Sequence, residues 1–462
     1  MIANAVKQSP LGKDIGGFLM LAIPLASAQV AQAAVGLVDT IMMGRLGTES
    51  LAAGGLASTM FQFCLTTVSG IVMAVSPLVA EAYGAGQAAR VEHIARQGLW
   101  LAIILTLPLM VIISQLDAGL LALGQPEAIA TRAAPYFKFI VWGIFPALGF
   151  AMLRSYVSAL SQANVVIVIV IIGTLVNITG NYVLGFGKFG FPRMELAGLG
   201  LSSGLSFWLM FILFLIYALK HPQLRNYRFL QNFHHFNLRI FQRLITVGVA
   251  IAITIALEYG LFAAVTFLMG ILGTDILAAH QTVYQTIYII FMVPLGMSYA
   301  VTARVGQWLG QKDMQGVRRA GYVGMVVVGL FMLVTAIALI IYRRQVIGIY
   351  INIDQPANAK VLALAIPMLF VASIAQLLDG IHRMAMGALH GLQDTRIPML
   401  ISGLAFWGVG LTSGYGLGFI LGFEGVGLWI GQSIGVAVAG LISILRFHRL
   451  TGRRTAIASI KP

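Results

Sequence analysis

Three acids stand inside otherwise apolar, membrane-length stretches of this chain: Asp39, Glu258 and Asp379. Each offers two hard oxygens and one exchangeable proton. An ionised carboxylate at bilayer depth costs at least about 2 kcal/mol, so such residues are paired, protonated or solvated in a cavity and mark ion and substrate paths. The chemistry on offer is reversible binding of a cation or a proton. Glu258 is embedded in Ala250-Ile-Ala-Ile-Thr-Ile-Ala-Leu-Glu-Tyr-Gly-Leu-Phe262, and Asp379 follows Ile374-Ala-Gln-Leu-Leu and precedes Gly380, His382 and Arg383. As a pair, Glu258 and Asp379 present oxygen ligands for Na⁺ or two coupled titrating groups for H⁺. The structural alternatives are a protonated, hydrogen-bonded Glu258 and an ion pair from Asp379 to Arg383 one helical turn along. Asp39 lies about 36 Å along a helix begun near residue 15, at 1.5 Å per residue. The run Thr40-Ile-Met-Met43 carries the helix past it, which argues for burial rather than a solvated end.

The elements that must hold these acids are membrane helices. The 462 residues are 59% hydrophobic and 10% charged, with a mean hydropathy of +0.91, whereas soluble domains carry about 25% charged residues. At about 20 apolar residues per crossing, the apolar runs predict twelve spans: 15–40, 52–76, 95–116, 134–155, 164–186, 196–219, 242–270, 277–303, 318–342, 359–385, 396–421 and 424–447. The 52 glycines suit helices that approach one another closely. The ten-residue alternation of a membrane barrel is absent. Pro24, fifteen residues before Asp39, removes a backbone hydrogen bond and is a candidate kink in the first span.

The net charge of +14 does not gather into a nucleic-acid patch. With twelve spans and a cytoplasmic N-terminus, eight of the 29 Lys and Arg fall outside: Arg45, Arg132, Lys138, Lys188, Arg193, Arg343, Arg344 and Lys360. The remaining twenty-one, Lys7 and Lys461 among them, fall inside. That asymmetry predicts both termini in the cytoplasm. No cleavable signal peptide is expected, because the first apolar segment runs on into a full span. The single cysteine, Cys64, excludes an internal disulfide.

The chain also repeats itself. Met43-Gly-Arg-Leu-Gly-Thr-Glu-Ser-Leu-Ala-Ala53 is matched by Met269-Gly-Ile-Leu-Gly-Thr-Asp-Ile-Leu-Ala-Ala279, and Gly70, Val79 and Gly84 meet Gly296, Val305 and Gly310 at the same offset of 226. Gly198-Leu-Gly-Leu201 is similar to Gly425-Val-Gly-Leu428 at 227. An offset of six spans keeps both copies in one orientation, a parallel repeat with the substrate site expected near the midplane between the copies. The reading is an all-α polytopic membrane protein of two six-helix bundles around a central cleft: 1–219, a cytoplasmic linker 220–241, and 242–462 with a basic tail. None of the three acids is duplicated. Asp39 falls opposite Val265, Glu258 opposite Gln32, and Asp379 opposite Phe150 if Arg154 is matched to Arg383.

Enzyme and ATPase signatures are missing: the chain has no HExxH, GxxxxGK[ST], GxSxG or CxxC. Energy is therefore expected from an ion gradient, with no cofactor. Asn177 and Asn181 share one helix face at i,i+4 and suit either interhelical hydrogen bonding or a site. Tyr136 suits either an interfacial belt or a site. Gln32, His280 and Gln281 are expected to pack. The twenty methionines and the aromatic residues suit an adaptable lining.

Gly36-Leu-Val-Asp39-Thr-Ile-Met-Met-Gly44, the loop Leu46-Gly-Thr48 with its second copy, and Gly185-Phe-Gly-Lys-Phe-Gly190 resemble the multidrug and toxic compound extrusion (MATE) transporters, in the NorM-like branch, over about residues 12 to 450. The resemblance implies a V-shaped cleft between the bundles, and export of cationic amphiphilic small molecules in exchange for Na⁺ or H⁺. It implies that Asp39, Glu258 and Asp379 couple ion to substrate, with Glu258 and Asp379 as Na⁺ ligands if the ion is Na⁺. Tyr136, Asn177 and Asn181 match the family's N-lobe polar cluster. Some NorM-like members carry a tyrosine four residues before the tenth-span acid, where this chain has Ala375, and that departure leaves the ion open. A monomer in a bacterial inner membrane is expected. Two other readings fit less well. A lipid-linked precursor flippase would need a cationic cleft to hold phosphates. A membrane-embedded transferase would have only His382 and His390 as near candidates for a reactive group.

Overall fold

The computed structural model describes residues 10–122, 124–231, 233–353 and 355–458. Lys7 and Lys461, counted above among the inside charges, and the extreme N-terminus weighed as a signal peptide lie outside the described residues. Among those described, no strand occurs and twelve helices are long and apolar enough to cross a membrane: α1 (Asp14–Leu46), α2 (Thr48–Gly84), α3 (Ala88–Ser114), α4 (Glu127–Ala159), α5 (Asn164–Gly185), α6 (Leu196–Lys220), α7 (Leu238–Leu272), α8 (Thr274–Gly310), α9 (Met314–Ile341), α10 (Pro356–Gly391), α11 (Arg396–Ile420) and α12 (Glu424–Gly452). Each predicted span has its helix. Most of the helices run longer, because the hydropathy pattern sees only the apolar middle and not the polar turns at the ends. At α9 such a turn is closed by Asp313, whose side chain accepts the Gly316 N–H.

Equivalent backbone outliers mark the repeat. Gly47 and Gly273, 226 positions apart, both stand before a helix at φ +126° and +135°. That conformation is nearly closed to residues with a Cβ, which explains why the Leu-Gly-Thr motif occurs twice. Gly86 and Lys312, again 226 apart, turn at φ +69° and +61°. The duplicated acids are structural: Glu49 pairs with Arg132 of α4 at 2.9 Å, and its counterpart Asp275 pairs with Lys360 of α10 at 2.7 Å.

Further along, the structure corrects the register read from sequence. Glu195 and Glu424, at φ +50° and +47°, are 229 apart. A Cβ on Gly198 would meet the Leu184–Gly185 peptide, as one on Gly427 would meet Leu417–Gly418. Gly198 therefore corresponds to Gly427, not Gly425. Likewise Ser161 and Gln393, both near φ +60° and 232 apart, end the fourth and tenth helices. In that register Arg154 corresponds to Met386 rather than Arg383, and Asp379 falls opposite Ala147. Insertions within each copy shift the offset stepwise, and an apolar helix offers too few distinctive residues to reveal the shift.

The chain forms two compact units. One is Ser27–Ala252; the other takes in the chain through Ala26 and from Ile253 onward. The two junctions are themselves 226 residues apart, inside α1 and α7, and do not coincide with the linker. The first half of α1 therefore packs on the second repeat. Gly296 of α8 lies directly against the Leu25–Ala26 backbone, and Asp14 pairs with Arg319 of α9 at 2.8 Å and Arg304 of α8 at 3.6 Å. The first half of α7 reciprocates within the other unit. Gly248 lies against the Ile71 backbone, and Arg243 lies 3.8 Å from Glu81 of α2. The linker is strapped to α3: Arg96 donates to the carbonyls of Phe229 and Gln231, Gln97 to that of His235, and Trp100 to that of Phe233, on whose ring it also stacks.

Gly296→Val and Gly248→Val each drive a side chain into backbone that cannot rotate away. Each is expected to cost about 1–3 kcal/mol, read as a lower unfolding midpoint in detergent. Gly55→Val, whose Cβ would meet nothing within 4 Å, serves as the silent control.

Candidate cation sites, one in each repeat

In the unit Ser27–Ala252, four predicted residues converge. Asp39 near the end of α1 accepts a 2.5 Å hydrogen bond from Asn181 Nδ2, which also donates to Asn177 Oδ1 at 3.2 Å. Asn177 Nδ2 donates to Ser203 Oγ at 3.1 Å, and Ser202 Oγ donates to the Asn177 carbonyl at 2.9 Å. Close approach of α5 and α6 makes this possible: a Cβ on Gly180 would collide with Ser202. At Asn181 the fifth helix widens into a π-helical turn, Asn181–Gly185, an insertion that recurs at functional sites. Asn177 and Asn181 are buried, at 3% and 0% exposure. Tyr136 of α4 is buried too, backed by Gly200 of α6 and within electrostatic reach of Asp39; it is not an interfacial belt residue. Asn181 Oδ1 is buried and accepts no hydrogen bond among the described residues. The cluster thus holds a carboxylate through neutral donors and keeps one buried oxygen free to accept.

In the other unit the acids meet a base. Glu258 of α7 is ion-paired with Arg383 of α10, both side chains being nearly buried. The Arg383 guanidinium also lies 5.1 Å from the centre of the Phe291 ring of α8. Asp379, one turn before Arg383, is within electrostatic reach of both Glu258 and Arg383. The sequence allowed an Asp379–Arg383 pair along one helix; the close pair runs instead between helices, to Glu258. Among the described residues no cluster of three or more His, Cys, Asp or Glu could hold a metal ion, so Glu258 and Asp379 stand as two carboxylates with one arginine.

Sequence reasoning missed the tyrosines within electrostatic reach of Glu258, Tyr259 and Tyr284. Tyr259 lies within electrostatic reach of Glu258, Tyr284, Tyr288 and Tyr299, and the rings of Tyr284 and Tyr288 lie 6.0 Å apart. The signal was present, since Tyr284, Tyr288 and Phe291 repeat at i, i+4, i+7 and form a single stripe of α8. His280 packs as expected: it is fully buried and bonds Thr266 at 3.0 Å. Gln32, with Gln29, accepts from Arg154. Pro24 lies within an uninterrupted helix, Pro10–Leu46, three residues before the junction between units.

Twelve spans made of two parallel six-span copies, each with acids set into its helices, are the construction of a secondary transporter fold. The MatE family model matches the chain twice, at residues 24–183 and 250–415, starting points again 226 apart, and the chain belongs to that family. It is 58% identical, over 97% of both chains, to the probable multidrug resistance protein NorM of a Synechococcus species. It is 48% identical, over 95% of both chains, to the protein of that name from a Synechocystis species. Among solved structures, a MATE transporter in a bent conformation superposes with a TM-score of 0.86 over 98% of each chain at 18% identity. The eukaryotic MATE transporter AtDTX14 does so with a TM-score of 0.84 over 96% of this chain and 99% of its own, also at 18% identity.

Removal of the amide that holds Asp39, in Asn181→Ala, is expected to cost about 1–3 kcal/mol of stability, read by thermal unfolding in detergent. Asp39→Asn combined with Asn181→Ala is expected to cost less than the sum of the single changes, because the two groups share one interaction.

Proposed function

We propose that this protein is a secondary multidrug efflux antiporter of a bacterial inner membrane. It exports cationic, amphiphilic small molecules in exchange for Na⁺ or H⁺ by alternating access, as a monomer, without a cofactor and with both termini in the cytoplasm. The observation that carries the reading is the Glu258–Arg383–Asp379 group. Two acids are kept within apolar spans, one of them within electrostatic reach of Tyr259 and Tyr284, in a chain whose relatives are named probable multidrug resistance proteins. Carboxylates attract a cation, and aromatic faces accept many flat cations without a fixed shape.

The proposed cycle follows from competition. A gradient ion arriving from outside neutralises the carboxylates and releases the drug; the ion-loaded carrier then turns inward, gives up the ion and takes a new drug. A ligand shifts such a two-state carrier only by its difference in affinity for the two states, and competition of ion and drug for the same acids supplies that difference. Asp39 and its Asn177–Asn181–Tyr136 cluster form the second site, one that protonation alone can switch. A helix 1 kink at Pro24 is the proposed conformational partner of Asp39.

The test uses purified protein in liposomes loaded with a fluorescent cationic drug, with Na⁺ and proton gradients imposed separately. Movement driven by one gradient is expected, and movement in Glu258→Gln or Asp379→Asn is expected to fall to background with insertion intact. Undiminished gradient-driven movement in both variants would defeat the coupling role. No movement under either gradient in the wild type would defeat the antiporter reading.

A further inference from the structure

Arg383 does not follow from the coupling scheme. A carboxylate waiting for a cation is served well by neutral donors, as Asp39 is by Asn181. Glu258 is instead already occupied by a positive charge of the chain's own. Burying a guanidinium is costly unless it is paired and its hydrogen bonds are met, and here Nε finds no acceptor among the described residues. The group is flat, delocalised and permanently charged, stacks on aromatic rings and pairs with carboxylates. In chemistry it is a small organic cation on a tether, and it lies against Phe291 and Glu258 as a transported aromatic cation would.

We propose that Arg383 is a tethered stand-in for the transported cation: it holds Glu258 while the site is empty and yields it to the incoming ion or drug. This rests on the antiporter reading of the same site. Asp379, one turn away on the same helix and within electrostatic reach of Arg383, receives the displaced guanidinium, so that each acid has one positive partner once a cation is bound. The side chain is long enough to swing between acids on adjacent helices, and no second basic side chain is needed. The charge count then sets what the site takes. Two carboxylates and one guanidinium carry a net single negative charge. One monovalent cation neutralises the site, whereas a dication leaves a positive charge uncompensated among apolar helices.

The experiment measures equilibrium binding of a monocationic dye, ethidium, and its dicationic analogue, propidium, to the full-length protein in detergent. Wild type is expected to prefer ethidium. Arg383→Gln, which leaves two unopposed acids, is expected to shift the ratio of propidium to ethidium affinity upward by about tenfold, the scale of one added charge at close range. Arg383→Lys keeps the charge and is expected to keep the wild-type preference. Glu258→Gln combined with Arg383→Gln again leaves one negative charge, and is expected to return to monocation preference. The double variant also removes the pair as a unit, so it remains a test where Arg383→Gln alone fails to fold. An unchanged ratio in folded Arg383→Gln would overturn the proposal, as would a dication preference in the double variant or in Arg383→Lys. If instead the wild type binds neither dye and moves no cation in liposomes, the antiporter reading fails; wild-type transport with an unchanged ratio leaves that reading standing and removes only the role of Arg383.

Discussion

An ionised carboxylate among apolar helices must be compensated, and here the two repeats do so by different means. In the first, Asp39 leans on a side-chain amide that is itself held by a second amide and a serine. In the second, Glu258 leans on a guanidinium. Neutral donors leave the charge of the carboxylate in place, whereas an arginine cancels it. The same scaffold therefore presents one site held by neutral donors alone and another in which a guanidinium offsets one carboxylate. Duplicated acids, by contrast, are spent on architecture: Glu49 and Asp275 tie each second helix to the fourth helix of its own copy.

Those polar clusters are possible only because the backbones come close. Gly180 admits Ser202 to the Asn177 carbonyl, Gly200 admits the Tyr136 backbone, and Gly296 and Gly248 admit the half-helices that cross between repeats. In a membrane, where apolar side chains gain little by leaving lipid for protein, such small-residue contacts carry much of the helix association.

How much was legible in the sequence followed from how distinctive each signal was. Twelve spans were legible because hydrophobicity over some twenty residues is a long signal. The repeat was legible where geometry demanded glycine, at Gly47 and Gly273, and lost register where it did not, at Gly198 and Arg154. The acids stood out because charge is rare in apolar helices, and Asn177 and Asn181 because their spacing fixes one face. The pairing of Arg383 was not legible: the nearest acid along the chain was one turn away at Asp379, and only the packing of α7 on α10 brings Glu258 closer. Nor did periodicity foretell that each of α1 and α7 divides between two compact units, since a continuous helix has the same pattern whichever neighbours it meets.

That division has a consequence for how the chain is made. The opening half-helix of each copy finds its partners in the other copy, so Ala26 meets Gly296 only after some 270 further residues have been synthesised. The first span must wait, half unpartnered, for nearly two thirds of translation. In the doubled chain each leading half-helix finds its partners in the same polypeptide, so one molecule supplies both sides of the contact.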